Sequence, residues 1–307
     1  MSSVVVVGSY GVGLTVALDR VPAAGETVVG HAFSAGPGGK GSNQAIAAAR
    51  LGASVELVSA VGSDEHGRQA RELWAAESVG HEGVRILDGT TMVGVILVDA
   101  TGENRIAIVP GVLDEMTPRD LGDLQRLLSE ADALLVSLEI PVDVAFAALR
   151  AGRDAGVITI LNPAPAPDGP LPDEMLGLVD HLTPNRTEAL RLAQLPEQTD
   201  PDEVVRAECF NGIGTVVLTL GEEGVLLRTS SGLVRIPAPH VEAVDSTGAG
   251  DTFNGAYASQ LAMGVSTVDA ARFAVAAASL SVSRAEVVPS LPRLAEVTSL
   301  MEGSPAR

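Results

Sequence analysis

Short β-branched runs alternate with longer stretches of helical apolar period along most of the chain. Residues 4–8 are a valine run ending at Gly8, the mark of a buried first strand. Two further strand-like runs, 14–18 and 27–33, follow across Pro22 and Gly25, and no helix fits between residues 8 and 36. A glycine-rich stretch then opens a helix over 44–51, closed by Gly52. From residue 54 the alternation becomes regular. Strand 55–61 precedes a helix over 65–79, with Leu73 and Trp74 on its apolar face. A hairpin of 92–98 and 104–109 interrupts the pattern, followed by helix 117–130, strand 133–138, helix 142–155 and strand 157–161. Beyond the proline-rich loop 162–172 come a short helix, strand 180–183, helices 186–194 and 201–211, and strand 215–220. A second hairpin, 224–229 with 233–236, leads to three closing helices over 249–263, 267–283 and 291–301.

Repeated strand–helix alternation predicts an α/β fold with a mostly parallel sheet covered by helices on both faces. The two strand-only excursions, about 10–37 and 89–111, pair with each other into a small lid on this reading. Sites in such sheets lie at the C-terminal strand ends. Gly8, Glu139, Asn162, Asn185 and Gly221 all stand just past predicted strands and are expected to converge.

Composition narrows the class. The 307 residues are 46% hydrophobic and only 3% aromatic, so the core is aliphatic. A formal net charge of −19, from 39 acids against 20 bases, argues against a nucleic-acid or anionic-membrane surface. An anionic ligand therefore needs a local positive site. Cys209 is the only cysteine, which excludes a disulfide framework and a thiolate zinc site, and the five histidines lack metal-ligand spacing. The apolar run at 273–280 is too short to span a bilayer, and residues 1–3 carry no basic leader, so a cytoplasmic protein is expected.

The chemistry concentrates in two stretches. V-D-S-T-G-A-G-D-T-F-N-G at 244–255 joins Ser246, Thr247, Gly248 and Gly250, which free backbone N–H groups to face an anion, to the start of a helix. Asp251, in the first turn, suits a base for a hydroxyl that attacks a phosphate. The competing reading is a capped helix whose first acid complements the dipole. In G-G-K-G-S-N at 38–43 the glycines let a ligand touch main chain, while Lys40 and Asn43 offer donors. Its alternative is a glycine-rich helix entry with Asn43 as cap. A Walker-type phosphate loop is excluded because Gly41 follows Lys40, and Gly8-x-x-Gly11-x-Gly13 reverses the dinucleotide fingerprint.

G-P-G-G-K-G-S-N-Q-A at 36–45 and D-S-T-G-A-G-D-T-F-N-G-A at 245–256 together resemble the two signatures of the ribokinase family, also called the phosphofructokinase-B family of carbohydrate kinases. Supporting pieces run in family order: Gly8-Ser9, Pro22-x-x-Gly25-Glu26-Thr27, Leu138-Glu139, Asn162-Pro163-Ala164-Pro165, Thr183-Pro184-Asn185-x-Thr187-Glu188-Ala189 and Thr219-Leu220-Gly221-x-x-Gly224. The resemblance implies a ribokinase-like three-layer sandwich, one kinase domain over 1–307 with a β lid, and transfer of the γ-phosphoryl of ATP to a hydroxyl of a sugar-like substrate. It implies Asp251 as base, with backbone N–H groups of Gly248, Ala249 and Gly250 as an anion hole. Gly39, Lys40, Asn43 and Glu139 are expected to hold the acceptor. Asn185, Thr219, Gly221, Gly224 and Thr247 are expected to line the ATP site. Asn185 and Glu188 are expected to organise Mg²⁺ through water, Asp245 and Thr247 a K⁺ ion, and the lid a homodimer contact.

Two regions depart from the family pattern. Gly11 and Gly13 stand where Asn and Asp bond sugar hydroxyls, which counts against ribose itself, and Glu286-Val287 replaces glycine-alanine beside the cation loop. A catalytically idle ligand-binding protein and a nucleoside kinase are the alternative functions on the same fold.

Overall fold

The computed structural model describes residues 2–303, so Met1 and residues 304–307 of the expected 1–307 domain lie outside the described residues. The strands in chain order are β1 Ser3–Val7, β2 Gly11–Ala17, β3 Ala32–Gly38, β4 Ser54–Gly62, β5 Val79–Leu87, β6 Met92–Val98 and β7 Asn104–Val109. They continue as β8 Ala133–Ser137, β9 Ile158–Asn162, β10 His181–Leu182, β11 Thr215–Thr219, β12 Val225–Thr229 and β13 Gly232–Ile236. Nine of them form one sheet in the order β13-β12-β11-β10-β9-β8-β1-β4-β5, in which only β12 runs against the common direction. Strand β1 sits between β4 and β8, and its four valines are fully buried because helices cover both faces. One face packs on the helices Lys40–Arg50, Ala249–Ala262 and Thr267–Ser281, the other on Val142–Ala155 and its neighbours.

The remaining four strands form the lid, a separate sheet in the order β3-β2-β6-β7. Here the two excursions meet as expected: β2 lies antiparallel to β3 and parallel to β6, which makes a hairpin with β7.

Several local expectations are corrected. The strand expected at 27–33 is β3, Ala32–Gly38, because the β-branched residues at 27–29 point into solvent (Val29 is 90% exposed) while pairing with β2 organises the weaker A-F-S-A-G-P-G segment. The helix expected from 44 begins at Lys40. The helix expected over 65–79 stops at Ala76, and residues 79–87 form the edge strand β5. That strand reads poorly as sequence since Gly80 and Gly83 interrupt it, yet each makes room for a β4 side chain, Glu56 and Val58 respectively. The helix expected over 117–130 is two short turns, Pro118–Leu121 and Leu124–Leu128, separated at Gly122. The one expected over 201–211 likewise breaks after Val204 into a 3₁₀ turn at Glu208–Phe210.

Candidate active site

The site is assembled where two helices cross. Gly255, one turn below Asp251, lies so close to the Lys40–Arg50 helix that a Cβ there would stand 2.4 Å from the Gln44 carbonyl oxygen and 2.7 Å from the Ala47 Cβ. Only hydrogen at this position allows the approach. The contact fixes the register of the helices and turns Asn43 and Gln44 toward Asp251. Asn43 Nδ2 donates to Asp251 Oδ2 at 2.8 Å, and Gln44 Nε2 donates to Oδ1 at 3.1 Å. Gln44 Nε2 also donates to Asn162 Oδ1 at 2.9 Å, and Asn162 Nδ2 donates to the Thr183 carbonyl at 3.1 Å, so the network runs back to the ends of β9 and β10. Asp251 is 7% exposed. A buried carboxylate keeps its charge only with such partners.

The start of the Asp251 helix has a geometry of its own. Gly248 is the N-cap at φ 80°, a left-handed conformation that suits glycine, and a Cβ there would meet Val287 Cγ1 at 2.6 Å. Thr252 Oγ1 donates to the Gly248 carbonyl, and Thr247 N donates to Asp245 Oδ1 at 2.9 Å, which tightens the turn. Ala249 N–H bonds the Ser246 carbonyl at 3.2 Å. The first N–H groups of a helix have no intrahelical acceptor, so those that follow point at whatever enters the cleft.

The glycine-rich entry serves close packing as much as ligand access. Gly39, the N-cap at φ 89°, crosses Tyr10, where a Cβ would lie 2.5 Å from the Tyr10 Cα, and Gly41 crosses Gly8 as tightly. The helix start is thereby pressed against the end of β1. Asn43 lies within the first turn rather than at the cap, which frees its side chain for Asp251. Opposite, Glu139 accepts from Lys40 N at 2.9 Å and from the Ser9 hydroxyl. Lys40 is the only lysine of the chain; every other basic residue is arginine. The Asp251 carboxylate, with Glu139 and Glu188 further off, holds its ammonium above the usual lysine range against the opposing effect of burial.

A cleft of 810 Å³ between lid and main body gathers these groups. Gly39, Lys40, Asn43, Glu139, Asp245, Thr247, Gly248 and Asp251 line it from the main body, with lid strands as roof. Asn185, Glu188, Thr219, Gly221 and Gly224 lie outside its lining. Asn185 and Glu188 form a reciprocal helix cap, with Asn185 Oδ1 accepting from Glu188 N at 2.9 Å and Glu188 Oε2 accepting from Asn185 N at 2.8 Å. Burial raises the pKa of Glu188. Asn185 bridges to Thr219, which places both at the end of β11. Gly224 has a packing reason of its own, since a Cβ would lie 2.1 Å from the Ile236 carbonyl oxygen, whereas Gly221 faces open space. Among the described residues no group of three or more His, Cys, Asp or Glu is gathered to hold a metal.

Gln44 is the functional residue that sequence reading missed. Fully buried yet polar, it reads as an ordinary helical position; its only signal is adjacency to the glycine-rich stretch. Asn162 was legible as a strand-end residue, but its link to Asp251 was not. Gly11 is roofed by Met92, whose Cε would lie 2.5 Å from a Cβ at 11, while at Gly13 the nearest atom would be Ile96 Cδ1 at 3.5 Å. Neither offers a polar group to a ligand.

Comparison with known proteins agrees with this geometry. Residues 1–294 match the pfkB family carbohydrate kinase profile. The chain is 38% identical to the ribokinase of Bacillus subtilis over 303 residues, covering 98% of this chain and 100% of that protein. It is 36% identical to the ribokinase of Lactococcus lactis, covering 98% of each. The structure of Arabidopsis thaliana ribokinase complexed with ribose and ATP superposes with a TM-score of 0.90 at 32% identity, over 98% of this chain and 99% of that one. With the ribokinase fold, the two signatures and a matching profile over nearly its full length, the chain belongs to the pfkB family of carbohydrate kinases.

Proposed function

We propose that this kinase transfers the γ-phosphoryl of ATP to a hydroxyl of a sugar-like acceptor held between Lys40, Asn43 and Glu139, with Asp251 as the base. The observation that carries the reading is the placement of Asp251: a buried carboxylate, oriented by Asn43 and Gln44, in the first turn of a helix whose N-cap, Gly248, lines the same cleft. A base so placed takes the hydroxyl proton as the oxygen attacks, while the helix N-terminus and Gly250 N–H stabilise charge on the transferred group. Lys40, near enough for the Asp251 carboxylate to act on its ammonium, neutralises the same charge. In the proposed arrangement ATP lies along the ends of β10 and β11, with Thr219, Gly221, Gly224 and Asn185 beside it and Thr247 at the phosphates. Phosphorus NMR of mixtures with ATP and a panel of pentoses, hexoses, polyols and nucleosides tests the reading; a new phosphomonoester signal is expected, and none over the whole panel would refute it.

Magnesium fits this site as a partly hydrated ion, because Glu188 and Asn185 offer oxygens that can hold its waters. Bound with ATP, it would supply neutralisation of the phosphate oxygens. A monovalent cation such as K⁺ beside Asp245 and Thr247 is the second ion we propose. Glu286, at φ 65° and ψ 155°, lines the same cleft as Asp245 and Thr247. We also propose a homodimer formed through the lid. On the face turned from the cleft, Phe33, Val95 and Val109 are 68%, 41% and 60% exposed, an apolar surface for a second copy to cover. A single cytoplasmic kinase domain is consistent with one cysteine and with no described helix long and apolar enough to cross a membrane.

A further inference from the structure

The cleft face of the lid contains a row of three glycines. Strand register places Gly13 of β2 directly between Gly36 of β3 and Gly94 of β6, and continues the row to Ile108 of β7. Directly paired residues share a face of the sheet, so this row of positions lacks side chains across three adjacent strands. A Cβ at Gly36 or Gly94 would meet nothing within 4 Å, and at Gly13 only Ile96 Cδ1 at 3.5 Å and the Gly36 carbonyl oxygen at 3.9 Å, both ordinary contacts. None of the three has a positive φ, so no backbone conformation demands glycine there. Neither packing nor backbone conformation accounts for their being glycine.

The result is a shallow trough about 10 Å long, two strand spacings. The rows on either side are Gly38–Gly11–Met92 and Ser34–Thr15–Ile96–Ile106. Its floor is peptide whose N–H and C=O groups are engaged in strand pairing, so it has little to give a hydroxyl. A polyhydroxylated group laid there would find replacement bonds only along one edge, at the Ser34 and Thr15 hydroxyls, and would lose water elsewhere without compensation. A planar apolar ring would lose nothing of that kind, and would cover Ile106 and Ile108, which are 55% and 53% exposed on this face. The trough is continuous with the cleft that contains Asp251 and Lys40.

We propose that the acceptor carries a flat apolar ring beyond its reacting hydroxyl, and that the Gly36–Gly13–Gly94 row is the seat of that ring. The proposal rests on the kinase reading above for the identity of the cleft, but its test does not require turnover. Phenyl and methyl pentosides differ only in the ring. Calorimetry with each, in the presence of a non-hydrolysable ATP analogue, should show the phenyl compound binding about tenfold more tightly, which is ~1.4 kcal/mol. Gly94→Val and Gly36→Val fill the trough at positions with open space and a strand-compatible backbone, so both should fold, and in both the ratio should fall to near one. A ratio near one in the parent protein, or an unchanged ratio in both variants, overturns the proposal. So does a purine nucleoside that outbinds the phenyl pentoside, because it would assign the seat to a hydrogen-bonded base. A changed oligomeric state in Gly94→Val with the ratio intact would give the row to a second copy and overturn it likewise. Absence of phosphorylated product alongside an intact phenyl preference would instead remove the kinase reading and leave the ring seat standing.

Discussion

The two sides of the cleft are built on opposite principles. On the main-body side each polar group is placed by another: Asp251 by Asn43 and Gln44, Gln44 by Asn162, Asn162 by the end of β10, and the helix crossing by Gly255. On the lid side the lining is mostly glycines, Met92 and isoleucines, with Thr15, Ser34 and Asn104 as the polar side chains. On the proposed function, the difference separates the transfer chemistry from recognition of the part of the acceptor beyond its reacting hydroxyl. Phosphoryl transfer requires a base and an anion site held within tenths of an ångström, which a buried and bonded network supplies. Acceptor choice requires only shape and matched polarity, so the lid can change without disturbing the transfer apparatus.

The largest expected effect breaks the main-body side at its centre. Asp251→Asn should lower kcat about 10²–10⁴-fold while ADP affinity measured by calorimetry stays within about twofold. Unchanged turnover would remove Asp251 from the base role and dissolve the contrast between the two sides. Gly248→Ala comes next: the left-handed φ and the contact with Val287 oppose any Cβ, and misaligned N–H groups should cost about 10²-fold in kcat in steady-state assays. A smaller effect is expected from Gly255→Val, which drives the two helices apart. It should destabilise by about 1–3 kcal/mol in urea titrations and lower kcat with little change in ATP affinity. Normal stability and rate would show that the crossing does not set the Asp251 geometry.

The smallest prediction concerns the start of β10, two residues before Thr183 in the main-body network. His181, half-buried with Nδ1 2.9 Å from the Tyr257 hydroxyl, has its pKa lowered to about 4 by burial, against a weaker opposing pull from Asp180. The unfolded chain, at 6.5, binds the proton more readily, so stability should fall as pH drops from about 6.5 toward 4. The slope due to this residue is at most about 1.4 kcal/mol per pH unit. His181→Gln should flatten it in urea titrations across that range, with turnover at neutral pH unaltered.

Legibility in the sequence follows the same division. The helix start at Ala249 and the helix Val142–Ala155 were readable to the residue, because caps, glycines and apolar period agree locally. The lid was readable as two strand-only excursions. What escaped depends on distant partners. Strand β5 exists because β4 offers an edge, and the helix at Lys40 starts four residues early because Gly39 and Gly41 fit against the turn after β1. Gln44 could not be singled out from its neighbours, since its role arises only when Gly255 brings another helix within reach. The glycine row is visible only once register aligns residues 13, 36 and 94.

The most direct test of the central claim is a crystal structure with a non-hydrolysable ATP analogue and an acceptor identified by the phosphorus NMR panel. The account predicts the γ-phosphate against the N–H groups at the start of the Ala249–Ala262 helix, and an acceptor hydroxyl about 3 Å from an Asp251 carboxylate oxygen. A γ-phosphate seated away from that helix start, or an acceptor whose hydroxyls all point away from Asp251, would contradict it.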